Sequence, residues 1–115
     1  YEVEAPIREH PAVAEVAVVA VPAEEGGEDE VKACIILKPG LAATPQEIIE
    51  WCDGRIPGFA IPRYIEFVAE FPKTPSEKVR KNVLREAGIT ATTWDRVKAG
   101  VKLKEEREKA AKKKP

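Results

Sequence analysis

The chain has no methionine, one histidine and two cysteines among its 115 residues, and these shortages remove most of the familiar side-chain chemistries. The one histidine, His10, precedes Pro11 and has no serine, cysteine or carboxylate at a recognisable spacing, so it makes no nucleophile–base pair. It reads as a structural residue at a helix end. Cys34 and Cys52 lie in apolar periodic stretches without metal-ligand spacing, which reads as two reduced core residues and predicts no metal site. A glycine-rich phosphate loop is also lacking. Gly26-Gly27 stands among Glu24, Glu25, Glu28, Asp29 and Glu30, whose charge repels phosphate, and reads as a hairpin loop. No apolar run approaches the ~20 residues of a membrane span, and no signal-peptide pattern opens the chain. The expectation is a cytoplasmic protein. With 34% charged residues but a net charge of −1, no overall field points to nucleic acid or membrane.

What is present fits one domain, able to bury roughly two thirds of its unfolded surface. Tyr1-Glu2-Val3-Glu4 has no initiator methionine and enters helical spacing at once, so the chain reads as a piece of something longer. Val3, Ile7 and His10 share a helical face, with Pro6 tolerable in a first turn and Pro11 as the stop. Val13 to Val21 is an almost unbroken β-branched run, the pattern of a strand covered on both faces. The acidic loop Pro22 to Glu30 follows. Val31 to Lys38 then alternates, with Val31, Ala33, Ile35 and Leu37 facing one way and Lys32 and Lys38 the other, predicting an antiparallel pair. Thr44-Pro45-Gln46-Glu47 is a capping box. It opens a helix to about Arg55 with Ile48, Ile49, Cys52 and Ile56 inward. Pro57 to Pro62 reads as a loop and Arg63 to Val68 as a third strand. A helix begun near Lys78 runs to Ala87 with Gly88 as its C-cap.

The predicted class is α+β: a small two-layer sandwich in the order α-β-β-α-β-α, with packed helices on a mostly antiparallel sheet of about three strands. Residues 1–97 make the domain. Residues 98–115 hold eight Lys/Arg against three Glu and read as a basic, frayed helical tail. A tail of this kind also fits contact with RNA or an acidic partner.

One stretch stands out: Phe71-Pro72-Lys73-Thr74-Pro75-Ser76-Glu77-Lys78-Val79-Arg80. It sets Lys78 on a loop stiffened by Pro72 and Pro75, directly before a basic helix. Two readings stand. Thr74 to Glu77 repeats the capping grammar of Thr44 to Glu47, which makes Lys78 a solvated residue in a first helical turn. A cation there opposes the helix dipole, however. The other reading is a lysine aimed at an anion.

Val3 to Val31, the strand pair, and above all PRYIEFVAEFPKTPSEKVRKNVLRE (Pro62 to Glu86) resemble the C-terminal domain of the adenylate-forming acyl-CoA synthetases, the AMP-binding enzyme superfamily. The resemblance covers residues 1–97. Within the superfamily the wording Thr-Pro-Ser-Glu-Lys-Val-Arg-Lys and the ending Thr93-Trp94-Asp95-Arg96 look most like carnitine/crotonobetaine–CoA ligase-type enzymes. Such enzymes join a carboxylic acid to ATP with loss of pyrophosphate, then pass the acyl group to coenzyme A. By this resemblance Lys78 aligns with the adenylation lysine, and Phe59-Ala60-Ile61-Pro62-Arg63 with positions that contact the coenzyme A nucleotide. Phe59 would pack on the nucleotide and Arg63 pair with its phosphate; from the residues alone, Phe59 as core and Arg63 as a strand-end charge read equally well.

The implied partners are an N-terminal adenylation domain in cis, which holds most of the ATP and its magnesium, and a small carboxylic acid substrate. In family members the domain swings about a hinge just before Tyr1. Two positions depart from the pattern: Glu77 replaces the usual glycine, and Ile61 replaces a basic residue seen in some relatives. A free-standing interaction module using the basic tail is the alternative from another class. Transfer to a carrier-protein pantetheine is the alternative within the superfamily. The residues leave the acid and the oligomeric state open.

Overall fold

The computed structural model describes residues 2–104 and 106–108. Among the described residues the helices and strands follow in the order α1 (Glu4–Arg8), β1 (Val13–Pro22), β2 (Asp29–Leu37), α2 (Pro45–Cys52), β3 (Tyr64–Phe67), α3 (Lys81–Ala87) and β4 (Trp94–Asp95), with a short 3-10 turn, Gly58–Ala60, before β3. The strands form one sheet in the order β1-β2-β3-β4. β1 and β2 are antiparallel, with Val16 opposite Ile35 and Val18 opposite Ala33. β3 runs parallel to β2, which requires the crossover that α2 supplies. β4 returns antiparallel, Asp95 facing Tyr64.

The α+β class stands as read, with a fourth strand added. β4 is two residues long, too short to show a period of two.

The register divides the side chains between two faces. Val16, Val18, Ala33, Ile35 and Ile65 meet Val3 and Ile7 from the first helix and Ile48, Ile49 and Cys52 from the second. On the opposite face Ala17, Cys34, Val19, Val21 and Tyr64 are covered by Phe71, Val79, Leu84 and Ile89. The β-branched run of β1 is therefore buried on both sides, as its lack of alternation predicts. α3 and the segment before it cover this second face, where Val19 and Val21 lie. Each such aliphatic side chain contributes about 1.5–3 kcal/mol when buried.

Local signals explain most boundaries. Thr44 Oγ1 accepts the Glu47 N–H at 3.1 Å, closing the predicted cap of α2. Gly88, at φ 59°, ends α3. His10 is structural: its Nδ1 accepts the Ala12 N–H at 3.1 Å and its ring meets Trp51 edge-on at 4.9 Å. Both cysteines are free and buried, and burial pushes the Cys52 thiol up to about 12.

The ordered core also continues past residue 97. Leu103 is 5% exposed and belongs to the main cluster. The Lys104 N–H donates to Asp53 Oδ2 at 2.8 Å. Arg96 Nη1 donates to the Val101 carbonyl at 3.1 Å and to Glu106 Oε1 at 2.9 Å. A change of charge marked residue 98 as the start of a frayed tail, and charge does not report a single apolar anchor such as Leu103. The last part of that tail, including Lys112 to Lys114, lies outside the described residues. Leu103→Ala is expected to lower stability by about 2 kcal/mol, the low end for a core leucine because a terminal segment can settle into the gap. Urea unfolding checks this, and an unchanged midpoint would show that Leu103 anchors nothing.

Candidate functional site

From Phe71 the chain turns back on itself instead of entering a helix. Lys73 and Val79 form an antiparallel bridge. The Thr74 N–H donates to the Lys78 carbonyl at 2.8 Å, the Glu77 N–H to the Thr74 carbonyl at 2.9 Å, and the Arg80 N–H to the Pro72 carbonyl at 2.8 Å. The Thr74 hydroxyl accepts the Lys78 N–H at 3.2 Å. Residues 73–79 are thus a tight hairpin, and α3 starts at Lys81. The helix begun near Lys78 is corrected accordingly. Phe71 and Val79 both pack into the same cluster, which a hairpin brings together and a helix from Pro75 would separate.

Glu77 makes the reversal. Its φ of 65° is left-handed, and it is the only non-glycine in that region among the described residues. The conformation costs a non-glycine residue about 1–2 kcal/mol, whereas a glycine adopts it without strain.

Ion pairs flank the hairpin, one on its first leg and one at the start of α3. Lys73 Nζ reaches Glu15 Oε1 at 3.3 Å, and Lys81 Nζ reaches Glu4 Oε2 at 2.6 Å. Glu4 also accepts the Val18 N–H at 2.8 Å. Burial raises the Glu4 carboxyl, but the contacts with Lys81 and Val18 outweigh it and hold the group below its ordinary value. Lys78, beside the turn of the hairpin, is exposed. Among the described residues its side chain has no carboxylate within ion-pair distance, while its neighbours Lys73 and Lys81 are both engaged.

Phe59 lies on the short 3-10 turn Gly58–Ala60 and is 84% exposed, which rules out the reading of it as core. Arg63 is neither solvated nor loose. Its guanidinium sits between two carboxylates, with Nε and Nη2 donating to Asp95 at 3.1 and 3.2 Å and Nη1 and Nη2 donating to Glu25 at 2.5 and 3.0 Å. Hydrogen bonds to Glu25 and Asp95 push its pKa up. Burial would raise Asp95, but Arg63 and the N–H groups of Val97 and Lys98 hold it down.

Two further groups escape the sequence reading. Lys32 is 2% exposed, and its Nζ donates to Glu66 Oε1 and to the Gly88 carbonyl, both at 2.7 Å. Glu66 accepts in addition from the hydroxyls of Thr90 (3.0 Å), Thr92 (2.8 Å) and Thr93 (3.0 Å). This clasp ties β2, β3, the end of α3 and the Thr90–Thr93 turn together. The available signal was a lysine inside an apolar alternating run; its partner is 34 residues away, joined by a parallel pairing that no local pattern reveals.

Chemically the arrangement offers, among the described residues, an exposed hairpin lysine without an ion-pair partner, an exposed aromatic ring and a guanidinium held between carboxylates. Among the described residues no His/Cys/Asp/Glu cluster could hold a metal ion.

Comparison with known proteins gives the family of the domain. Residues 2–78 match the family model of the AMP-binding enzyme C-terminal domain. The medium-chain acyl-CoA ligase ACSF2, mitochondrial, of Danio rerio is 45% identical over 85 residues, covering 74% of this chain and 14% of that protein. The putative acyl-CoA synthetase YngI of Bacillus subtilis is 43% identical over 88 residues, covering 76% and 16%. The crystal structure of an acyl-CoA synthetase from Brucella canis superposes with a TM-score of 0.66 at 44% identity, over 73% of this chain and 16% of that one. The chain belongs to the AMP-binding enzyme C-terminal domain family, and it spans about a seventh of the curated relatives it matches. None of these matches supports the interaction-module alternative.

Proposed function

We propose that this chain is the mobile C-terminal domain of an ATP-dependent acyl-CoA synthetase, which converts acid, ATP and coenzyme A to acyl-CoA, AMP and pyrophosphate. The observation that carries the reading is Lys78: exposed, without an ion-pair partner among the described residues, on a hairpin flanked by the Lys73–Glu15 and Lys81–Glu4 pairs. In adenylation a carboxylate attacks the α-phosphate, and negative charge gathers where two anions meet. A fixed cation placed there stabilises the transition state electrostatically. Lysine, a compact point charge on a long stem, suits the task. Lys78 acts as a charge, not as an acid or base.

ATP and its magnesium are held mainly by the N-terminal domain in cis, and the acid is selected there. Phe59 and Arg63 fit the nucleotide end of coenzyme A, the exposed ring as a stacking surface and the guanidinium as a phosphate partner. Whether the acid is of the carnitine type is decided outside this chain. The full-length protein is expected to release one AMP and one pyrophosphate for each acyl-CoA formed; release of ADP and phosphate would overturn the reading. Phe59→Ala is expected to raise KM for coenzyme A about three- to tenfold, as loss of one stacking contact does. KM for ATP and the melting temperature should stay unchanged, because Phe59 touches no core. An unchanged KM for coenzyme A removes Phe59 from the site.

A further inference from the structure

The two carboxylates that grip Arg63 are not equivalent. Asp95 is buried, 7% exposed at its side chain, and is itself fixed by the N–H groups of Val97 at 2.9 Å and Lys98 at 3.4 Å. Glu25 is 61% exposed at its side chain and belongs to the acidic loop whose next two residues, Gly26 and Gly27, have φ of 85° and 91°. Asp95 engages the Nε–Nη2 edge of the guanidinium and Glu25 the Nη1–Nη2 edge. One edge is therefore turned into the fold and held permanently. The other faces solvent and is closed by a side chain that water can replace. With Glu25 in place the Arg63 side chain is only 8% exposed, so an incoming anion meets Arg63 by way of Glu25.

A carboxylate with two oxygens on two Nη groups has the same hydrogen-bonding geometry as a phosphate oxygen pair on the same donors. The loop is positioned for this occupation by contacts that do not depend on Glu25. The Glu24 N–H donates to Tyr64 Oη at 3.1 Å and Glu24 pairs with Lys98; a third carboxylate, Glu30, lies 3.8 Å from Arg63 Nη1, beyond hydrogen-bond distance, and leaves the outer edge to Glu25. We propose that Glu25 is an internal competitor for the phosphomonoester of the nucleotide end of coenzyme A: it fills the outer edge of Arg63 until the phosphate displaces it, and so sets the affinity of this domain for the phosphorylated thiol. The inference rests on the reading of Arg63 as a phosphate partner. The displaced Glu25 swings into solvent on its glycine-flanked loop, and Asp95 keeps the guanidinium in place throughout.

The test uses the full-length enzyme with coenzyme A and with dephospho-coenzyme A, which lacks that phosphomonoester. Glu25→Gln removes the competing charge at constant size. It is expected to lower KM for coenzyme A about two- to fivefold, the range open to an exposed ion pair, and to leave KM for dephospho-coenzyme A unchanged. A general loosening of the loop would move both KM values together, and that outcome overturns the proposal. If the unsubstituted enzyme prefers coenzyme A and Glu25→Gln does not shift its KM, Glu25 is no competitor, while the Arg63 reading survives. If the unsubstituted enzyme has equal KM for the two thiols, Arg63 takes no phosphate and both fall. Glu25→Ala, which also removes the hydrogen-bonding group, should reproduce the Gln result or exceed it.

Discussion

Lys78→Ala in the full-length enzyme is expected to slow acyl-adenylate formation by a factor of about 10²–10³, the usual loss when one preorganised charge contact to a transition state is removed. Thioester formation from supplied acyl-adenylate should stay within about twofold, because the cation is needed where carboxylate meets phosphate and the second half-reaction starts after that junction has formed. Stability should not move, since Lys78 is exposed and its hydrogen bonds among the described residues are made by its backbone. Lys78→Arg should rescue little: a planar fork on a different reach does not put its charge where the ammonium was. Pyrophosphate exchange into ATP measures the first step, and acyl-CoA formed from synthetic adenylate measures the second. Equal loss in both would mean that the hairpin supports the domain and does not serve the chemistry.

The second large effect concerns stability. Glu66→Gln is expected to cost about 3–5 kcal/mol, because it leaves Lys32 as a buried charge without a counter-charge. Burial by itself would raise the Glu66 carboxyl, but hydrogen bonds from Lys32, Thr92 and Thr90 prevail and hold it at about 2, against an ordinary 4.5. The sign follows from linkage. A carboxyl with a depressed folded-state pKa contributes stability that is complete above its unfolded value of 4.5 and is lost as pH falls toward 2. That difference corresponds to about 3 kcal/mol at neutral pH. The unsubstituted chain should therefore lose stability steeply between about pH 4.5 and 2, and Glu66→Gln should flatten that limb while lying lower at pH 7. Lys32→Met combined with Glu66→Leu removes both charges and should recover most of the loss. Urea midpoints across this pH range check it, and parallel acid limbs for both proteins would exclude Glu66 as the group responsible.

How far the residues alone reach depends on sequence distance. Thr44 and Glu47 are three apart, and the cap they predict is in place. The run Val13–Val21 announces its own double burial. The Phe71–Arg80 segment showed a constrained lysine, yet its capping grammar equally described a helix. The decision lay in the shared burial of Phe71 and Val79 and in the left-handed Glu77, neither of which a local pattern contains. Arg63 was legible as a candidate but its state was not: Asp95 lies 32 and Glu25 38 residues away, joined through pairings of β2, β3 and β4 that exist only in the assembled sheet. Lys32 and Glu66 were unreadable for the same reason. A buried cation becomes sensible only once its counter-charge is on the neighbouring strand.

The left-handed Glu77 has a consequence for how often the hairpin must be ordered. A glycine at this position roams widely in the unfolded chain and in any loosened loop, whereas a glutamate has fewer states to lose. With Pro72 and Pro75 on either side of Thr74, the segment gives up most of its freedom once, at folding. Under the proposed function the domain would then carry its lysine as a rigid tip, and little substrate binding energy would be diverted to ordering the loop.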